Sequence, residues 1–458
     1  MIKVRKILIA NRGEIAVRII RACRNLGIRS VAVYSKEDAK SLHVQLADQR
    51  ICIGVGSAAY LNKEQVVAAA LNFGADAIHP GYGFLSENET FAKLCQENGL
   101  IFIGPAAEVI GRMGNKAEAR KTMKEAGVPI VPGTDAIYDA EEGLKAAKKI
   151  GFPVIIKASA GGGGKGMRIA ASEDVFVTQF NVAQTEAANG FADETMYIEH
   201  YVDKPKHVEI QIMADTYGNV VSLGERDCSV QRNHQKLIEE SPSPAISREV
   251  ADQMGKDAVQ AASAVGYVNA GTIEFIVDAK GKYYFMEMNT RIQVEHGVTE
   301  MVTGIDLIME QIRVARGEKL SFTQVDVKLT GHAIECRINA EIPEKNFMPA
   351  PGRVINLHLP AGNGVRVDTG LYAGYQVPLE FDSMIAKILV HAPTRIEAIR
   401  KMRTALEETL IMGVDTNLDF QYQILRTPVF VEGKADTGFV GKMLNLDADV
   451  GRLADYDL

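Results

Sequence analysis

Pro153-Val154-Ile155-Ile156-Lys157-Ala158-Ser159 reads as a short apolar strand; after Ala160 come Gly161-Gly162-Gly163-Gly164-Lys165-Gly166, and the apolar pattern resumes at Met167. Four consecutive glycines are entropically expensive to order. They leave a backbone whose N–H groups can close over phosphate oxygens. A Walker A loop does not fit, because no Ser or Thr follows Gly166 and a strand rather than a helix comes next. Glycines alone would equally make a flexible surface hairpin. Lys157 favours the anion site, since a lysine inside an apolar strand needs a negative partner and a phosphate would serve.

On the N-terminal side, residues 1–113 alternate strand and helix signals. Residues 7–10 form a buried strand and Asn11-Arg12-Gly13 a turn. Ile15, Ile19, Ala22, Cys23 and Leu26 then recur at helical spacing up to Gly27. Strand signals return at 30–34, 76–79 and 100–103, which predicts a parallel, doubly wound α/β unit. A helix is expected over 115–126, and residues from about 132 to 203 form a smaller unit around the glycine run. On the C-terminal side the chain is strand-rich from about 204, helical at 305–315, and strand-forming again at 332–338, 354–359 and 384–390. A helix is expected over 395–410. The expected organisation is an N-terminal domain (1–113), a central domain (114–330, its smaller unit a mobile lid), a C-terminal α+β domain (331–446) and a tail (447–458).

Two strands, 272–277 and 283–289, flank a turn at 278–282. If Lys280-Gly281 is a two-residue turn, Glu274 lies opposite Glu287; a three-residue loop with a bulge would move the register by one. Facing carboxylates among aromatics and methionine repel unless a cation sits between them. Magnesium suits, since it takes oxygen ligands and phosphate together, and Asn289 shares the face of Glu287. The alternative is a solvated outer face. Asn289-Thr290-Arg291-Ile292-Gln293-Val294-Glu295 places four polar residues on alternate positions. If extended, they point one way, enough to grip a small oxyanion beside a base; an exposed salt-bridged edge would read the same. His207, Glu209 and Gln211 share one strand face, where a histidine is more often structural than functional. Gln231 to Lys236 is either an anion-binding loop or a solvated turn. Arg337, inside the apolar strand 333–338, needs a partner or a functional anion.

The 458 residues carry a formal net charge of −7, which argues against nucleic acid as the main partner. The five cysteines are scattered without a C-x-x-C pair, so zinc and a disulfide framework are not expected. No apolar run is long enough for a signal peptide or a membrane span, and a cytoplasmic location is expected.

The chain resembles the biotin carboxylases of the ATP-grasp superfamily over nearly its whole length. Matching stretches are Ile9-Ala10-Asn11-Arg12-Gly13-Glu14-Ile15-Ala16, His79-Pro80-Gly81-Tyr82-Gly83-Phe84-Leu85-Ser86-Glu87-Asn88, Ile156-Lys157-Ala158-Ser159, Glu225-Arg226-Asp227-Cys228-Ser229, residues 287–295, and Glu335-Cys336-Arg337-Ile338-Asn339-Ala340-Glu341. The resemblance implies a central ATP-grasp fold and position-by-position roles. Lys116, Lys157, Gly163 and Gly164 would contact ATP. Glu199, His200, Tyr201 and Val202 would hold adenine, and His207, Gln231 and His234 would line the nucleotide site. Glu274, Glu287 and Asn289 would bind magnesium (or manganese). Lys236, Arg291, Gln293 and Val294 would bind bicarbonate, Glu295 would be the general base, and Arg337 would face biotin.

It further implies a homodimer and carboxylation of biotin through carboxyphosphate. No Met-Lys-Met carrier hairpin occurs, and little chain follows the C-terminal α/β region, so a separate biotin carboxyl carrier protein and carboxyltransferase are expected. Acetyl-CoA is the expected final acceptor, with propionyl-CoA, pyruvate and 2-oxoglutarate as alternatives. Two departures stand out: His200 where many relatives carry lysine, and Gly297 where many carry proline. The rival readings are an ATP-grasp carboxylate–amine ligase and a catalytically silent nucleotide sensor.

Overall fold

Strand Lys6–Ile9 sits at the centre of a parallel sheet because its alternate residues are apolar on both faces. Ile7 and Ile9 pack with Ile15, Ile19 and Cys23 of helix Gly13–Asn25, while Leu8 packs on the other face with Val31, Val33 and Val66. The sheet runs Gln49–Gly54, Arg29–Ser35, Lys6–Ile9, Ala77–His79, Ile101–Phe102, all parallel. Helices on both faces make it doubly wound, as expected. Gly27 ends the helix at φ +68°, letting the Ile28 N–H return to the Cys23 carbonyl at 2.8 Å. The computed structural model describes residues 3–158, 166–191 and 193–449.

The second sheet carries the site. Its eight antiparallel strands run Tyr283–Asn289, Asn269–Val277, Lys206–Ala214, Val220–Arg232, Gln235–Ser241, His332–Asn339, Met384–Ala392, Val365–Thr369. It continues across residue 330 without a break, because Gln235–Ser241 pairs directly with His332–Asn339. One face packs on helix Arg248–Ala264 through Ile210, Ile212, Ile273 and Met254. The far end packs on helix Arg395–Glu408 through Ile388, Ile399 and Met402.

The small unit is a three-stranded antiparallel sheet, Met167–Ala170, Val154–Ala158, Met196–His200, against helices Ala140–Ile150 and Glu173–Phe191. Its own core is built on Phe176, Phe180, Val154 and Ile198. The glycine run, with Gly163 and Gly164, lies outside the described residues. No helix among the described residues is long and apolar enough to cross a membrane.

Several elements differ from the sequence reading. The helix expected over 395–410 stops at Glu408, and Leu410–Met412 instead pairs as a strand with Asn356–His358, shorter than the expected 354–359. The helix expected at 305–315 starts at Leu307, because the Asp306 side chain accepts from the Met309 N–H and caps it. The 278–282 turn does not use Lys280-Gly281 as a two-residue loop. Val277 pairs with Tyr283 and the Asp278 side chain accepts from the N–H groups of Lys280 and Lys282, leaving a longer loop closed by Gly281 at φ +79°. A register shift between Glu274 and Phe275, with Met286 as the extra residue, then restores Glu274 opposite Glu287. The expected facing pair exists, but through a bulge rather than a tight turn. The stripe at 289–295 is not extended throughout: the strand ends at Asn289 and the backbone turns at 294–295 into helix His296–Thr303.

Candidate active site

Four side chains form one row across four strands of the central sheet. Arg226 pairs with Glu209, Glu209 with Glu274, and Glu274 with Glu287. Three neighbouring carboxylates in a buried row would repel one another, so the row depends on the cations built around it. Arg226, fully buried, donates to Glu209 (2.6 Å), Gln211 (2.7 Å), Thr299 (3.0 Å), Thr272 (3.2 Å) and Gln293 (2.6 Å). The Lys236 ammonium lies 2.7 Å from Glu209, 3.2 Å from Glu274 and 2.5 Å from Glu295. His207 approaches Glu274 at 3.0 Å. Arg337 bridges Glu239 (2.5 Å) and Glu295 (3.0 Å).

These contacts set the charge states. Burial works against charge on Glu274, but Lys236 and His207 outweigh it and hold the carboxyl well below the usual range. Burial likewise opposes charge on Glu295, and Lys236, Arg337 and Arg226 overcome it. Glu287 goes the other way: burial and the neighbouring Glu274 push its carboxyl up, with Lys116 acting against the rise. Burial pushes Glu239 up to about 7, with Arg337 opposing. Oxygen donors therefore meet where one carboxylate is held charged and its neighbour is destabilised by repulsion. Glu274 faces Glu287 across the ladder and accepts from the Asn289 amide N–H at 3.0 Å, so the three residues expected to hold magnesium lie together at this end of the row.

The polar stripe keeps its residues together despite the turn. Gln293 donates to Glu274 at 2.7 Å, and Glu295 reaches Lys236 and Arg337. Arg291 donates to Glu87 (2.9 Å) and Asn289 (2.7 Å), and Glu87 also accepts the Thr290 N–H at 3.2 Å. The sequence 231–236 is a hairpin end: Arg232 pairs with Gln235, and Asn233 and His234 take the left-handed conformations that a tight turn needs. Gln231 and Lys236 face each other across the ladder, with Gln231 buried 3.4 Å from His207. His234 sits exposed at the tip.

Toward the small unit, Lys116 opens helix Lys116–Glu125, which Asn115 caps. The Lys157 ammonium lies 2.6 Å from Glu199, which also pairs with Arg120. The anion that the apolar-strand lysine requires is here a carboxylate. Glu199 and His200 end strand Met196–His200, and the backbone of Tyr201 follows by donating to Pro153 at 3.0 Å. Val202 is largely buried.

Sequence reasoning gave no role to Arg226, Glu239, Glu87 or Lys387, and placed Glu209 only on a polar face. An arginine between Glu225 and Asp227, and a lysine inside the apolar strand Met384–Ala392, were the available signals.

A central antiparallel sheet lined with carboxylates and cations, beside a small lysine-bearing sheet, defines an ATP-dependent ligase of the ATP-grasp class. Family models described as biotin carboxylase N-terminal domain, carbamoyl-phosphate synthase L chain ATP-binding domain and biotin carboxylase C-terminal domain match residues 3–110, 115–323 and 335–442. Biotin carboxylase 1 of Bacillus subtilis (strain 168) is 56% identical over 441 residues, spanning 95% of this chain and 98% of that protein. A pyruvate carboxylase subunit of Methanothermobacter thermautotrophicus is 50% identical over 456 residues, spanning 99% of this chain and 93% of that one. The biotin carboxylase domain dimer of Hydrogenobacter thermophilus 2-oxoglutarate carboxylase, solved with MgADP, ADP and bicarbonate, superposes with a TM-score of 0.91 at 48% identity, covering 97% of this chain and 98% of that chain. The chain belongs to the biotin carboxylase family and is an ATP-dependent biotin carboxylase.

Proposed function

We propose that this chain spends ATP to carboxylate biotin on a separate carrier protein, using bicarbonate, as the first half-reaction of an acetyl-CoA carboxylase working in the cytoplasm as a homodimer. The observation that carries the site assignment is the junction of Lys236 and Arg337 on the two oxygens of Glu295, beside the Glu274–Glu287 pair. A magnesium ion bound by Glu274, Glu287 and Asn289 would screen the phosphate oxygens of ATP. Lys116 and Lys157 would hold the nucleotide phosphates with the glycine run, Lys157 exchanging Glu199 for a phosphate. Glu199 to Val202 would seat adenine, with His207, Gln231 and His234 along the nucleotide.

Arg291, Gln293, Lys236 and the backbone of Val294 would bind bicarbonate. Glu295 is charged at neutral pH and able to accept the bicarbonate proton. Its basicity would rise once bicarbonate competes for Lys236. Bicarbonate would then attack the γ-phosphate, displacing ADP, to give carboxyphosphate; this would break into carbon dioxide and phosphate, and that phosphate would take the biotin ureido N–H proton. Arg337, held by Glu239 behind it, would face the biotin ureido oxygen and stabilise the enolate that carboxylation requires.

Phosphate release from ATP, measured with bicarbonate and free biotin and again with amino-acid substrates, tests this reading. Release that depends on bicarbonate, magnesium and biotin supports it, and release driven by an amine acceptor instead would make the protein a carboxylate–amine ligase. The similarity to one component of a pyruvate carboxylase and to a domain of a 2-oxoglutarate carboxylase supports a second reading of the final acceptor. Recovering the transferase that co-purifies with this chain decides between them.

A further inference from the structure

Lys387 lies in strand Met384–Ala392 with no exposed surface, beside Arg337 on one neighbouring strand and Asp368 on the other. Its ammonium is 3.4 Å from Glu14, 3.9 Å from Glu335 and 4.0 Å from Asp368. Such carboxylates compensate a buried cation. Yet its shortest bond, 2.5 Å, goes to none of them but to the main-chain carbonyl of Val294. That carbonyl belongs to the peptide unit joining Val294 to Glu295. The segment 290–295 has neither strand nor helix pairing, and Glu295 itself sits at φ −80°, ψ 11°, in the sparsely populated bridge region, without capping its helix through the side chain. Locally the His296 N–H closes a turn onto the Gln293 carbonyl at 3.3 Å, and Lys387 holds the carbonyl in the middle of that turn. Glu14 comes from helix Gly13–Asn25 and is bonded in turn by Tyr82, so Lys387 gathers the N-terminal domain, the end of the central sheet and the 290–295 segment on one nitrogen.

We propose that Lys387 is a positioning residue for Glu295: by holding the Val294 carbonyl it fixes the Val294–Glu295 peptide plane and so aims the Glu295 carboxylate at the bicarbonate site. This role depends on Glu295 being the base, as proposed above. A base displaced by a fraction of an ångström loses rate in the step it serves and leaves nucleotide binding alone. For Lys387→Met, kcat/KM for bicarbonate in ATP cleavage should fall ~10–100-fold, while the KM for ATP and the ADP affinity stay within about twofold. Lys387→Gln is equally neutral but keeps an N–H donor, and should recover part of the loss.

A methionine variant with parental bicarbonate kinetics would overturn the proposal, as would an ATP KM that rises in step with the bicarbonate KM, or glutamine and methionine variants that are equally impaired. Glu295→Gln is measured in parallel: if it is fully active the base assignment fails, and if it is inactive while Lys387→Met is normal only the Lys387 role fails. Should Lys387→Met not fold, judged by its near-ultraviolet circular dichroism, the double variant Lys387→Met/Glu14→Gln is compared with Glu14→Gln, and the same bicarbonate-specific loss is required.

Discussion

Replacing Arg226 with methionine removes the cation at one end of the carboxylate row while keeping similar length and packing. The guanidinium is fully buried and makes five hydrogen bonds, one of them to the fully buried Glu209. Lys236 at 2.7 Å would be left as the cation beside Glu209. The side-chain oxygens of Gln211, Gln293, Thr272 and Thr299 would each lose a donor. Breaking a buried pair by deleting one partner costs about 3–5 kcal/mol. The several acceptors stripped of a donor place this site at the upper end, though such losses do not add.

With an unfolding entropy of about 2.1 cal/mol/K per residue, 458 residues unfolding together give ~1 kcal/mol/K, so the melting temperature should drop by about 3–5 °C. Because Gln293 loses its anchor, the KM for bicarbonate should rise as well. Arg226→Lys keeps the charge and part of the bonding and should fall between the two. The assay is thermal unfolding by circular dichroism paired with bicarbonate-dependent phosphate release. A methionine variant that melts within about 1 °C of the parent would show that the row does not depend on Arg226, and would refute the electrostatic account of the site.

Glu295→Gln should bind ATP normally and lose at least ~100-fold of its bicarbonate-dependent ATP cleavage, because an amide cannot take the proton; near-parental turnover would remove it from the base role. Arg337→Ala should damage biotin carboxylation far more than ATP binding, and equal loss of both in isothermal titration and turnover assays would make the arginine structural. His43 is fully buried, and burial pushes its ring down to about 4. As pH falls below the ordinary value near 6.5 the unfolded chain takes up this proton and the folded chain does not, so the folded state loses up to about 1.4 kcal/mol per pH unit until the folded value is reached. His43→Gln removes that loss: its stability relative to the parent should improve between pH 6.5 and 4.5 in urea unfolding, and a difference independent of pH would contradict the buried neutral ring.

Features whose signals are local could be read from the amino-acid order. The alternation of buried strands with helices marked the parallel sheet, and the strand–glycine–strand order excluded a Walker loop. A lysine or an arginine inside an apolar strand announced a buried charge before its partner was known. The polar residues from Asn289 to Glu295 were legible as a set because they are close in the chain. What they meet was settled by the packed fold. The row Arg226–Glu209–Glu274–Glu287 spans four strands whose register comes from pairing, and at Glu274 from a bulge at Met286 that the turn residues do not locate. The turn at 294–295 broke the expected alternation, yet the side chains converged because Lys236 and Arg337, from two other strands, drew Glu295 in. Lys387 reaches Val294 across 93 residues of chain, a contact with no local trace. Pairing register and long-range charge compensation depend on which segments become neighbours, and that is fixed only when the whole core packs.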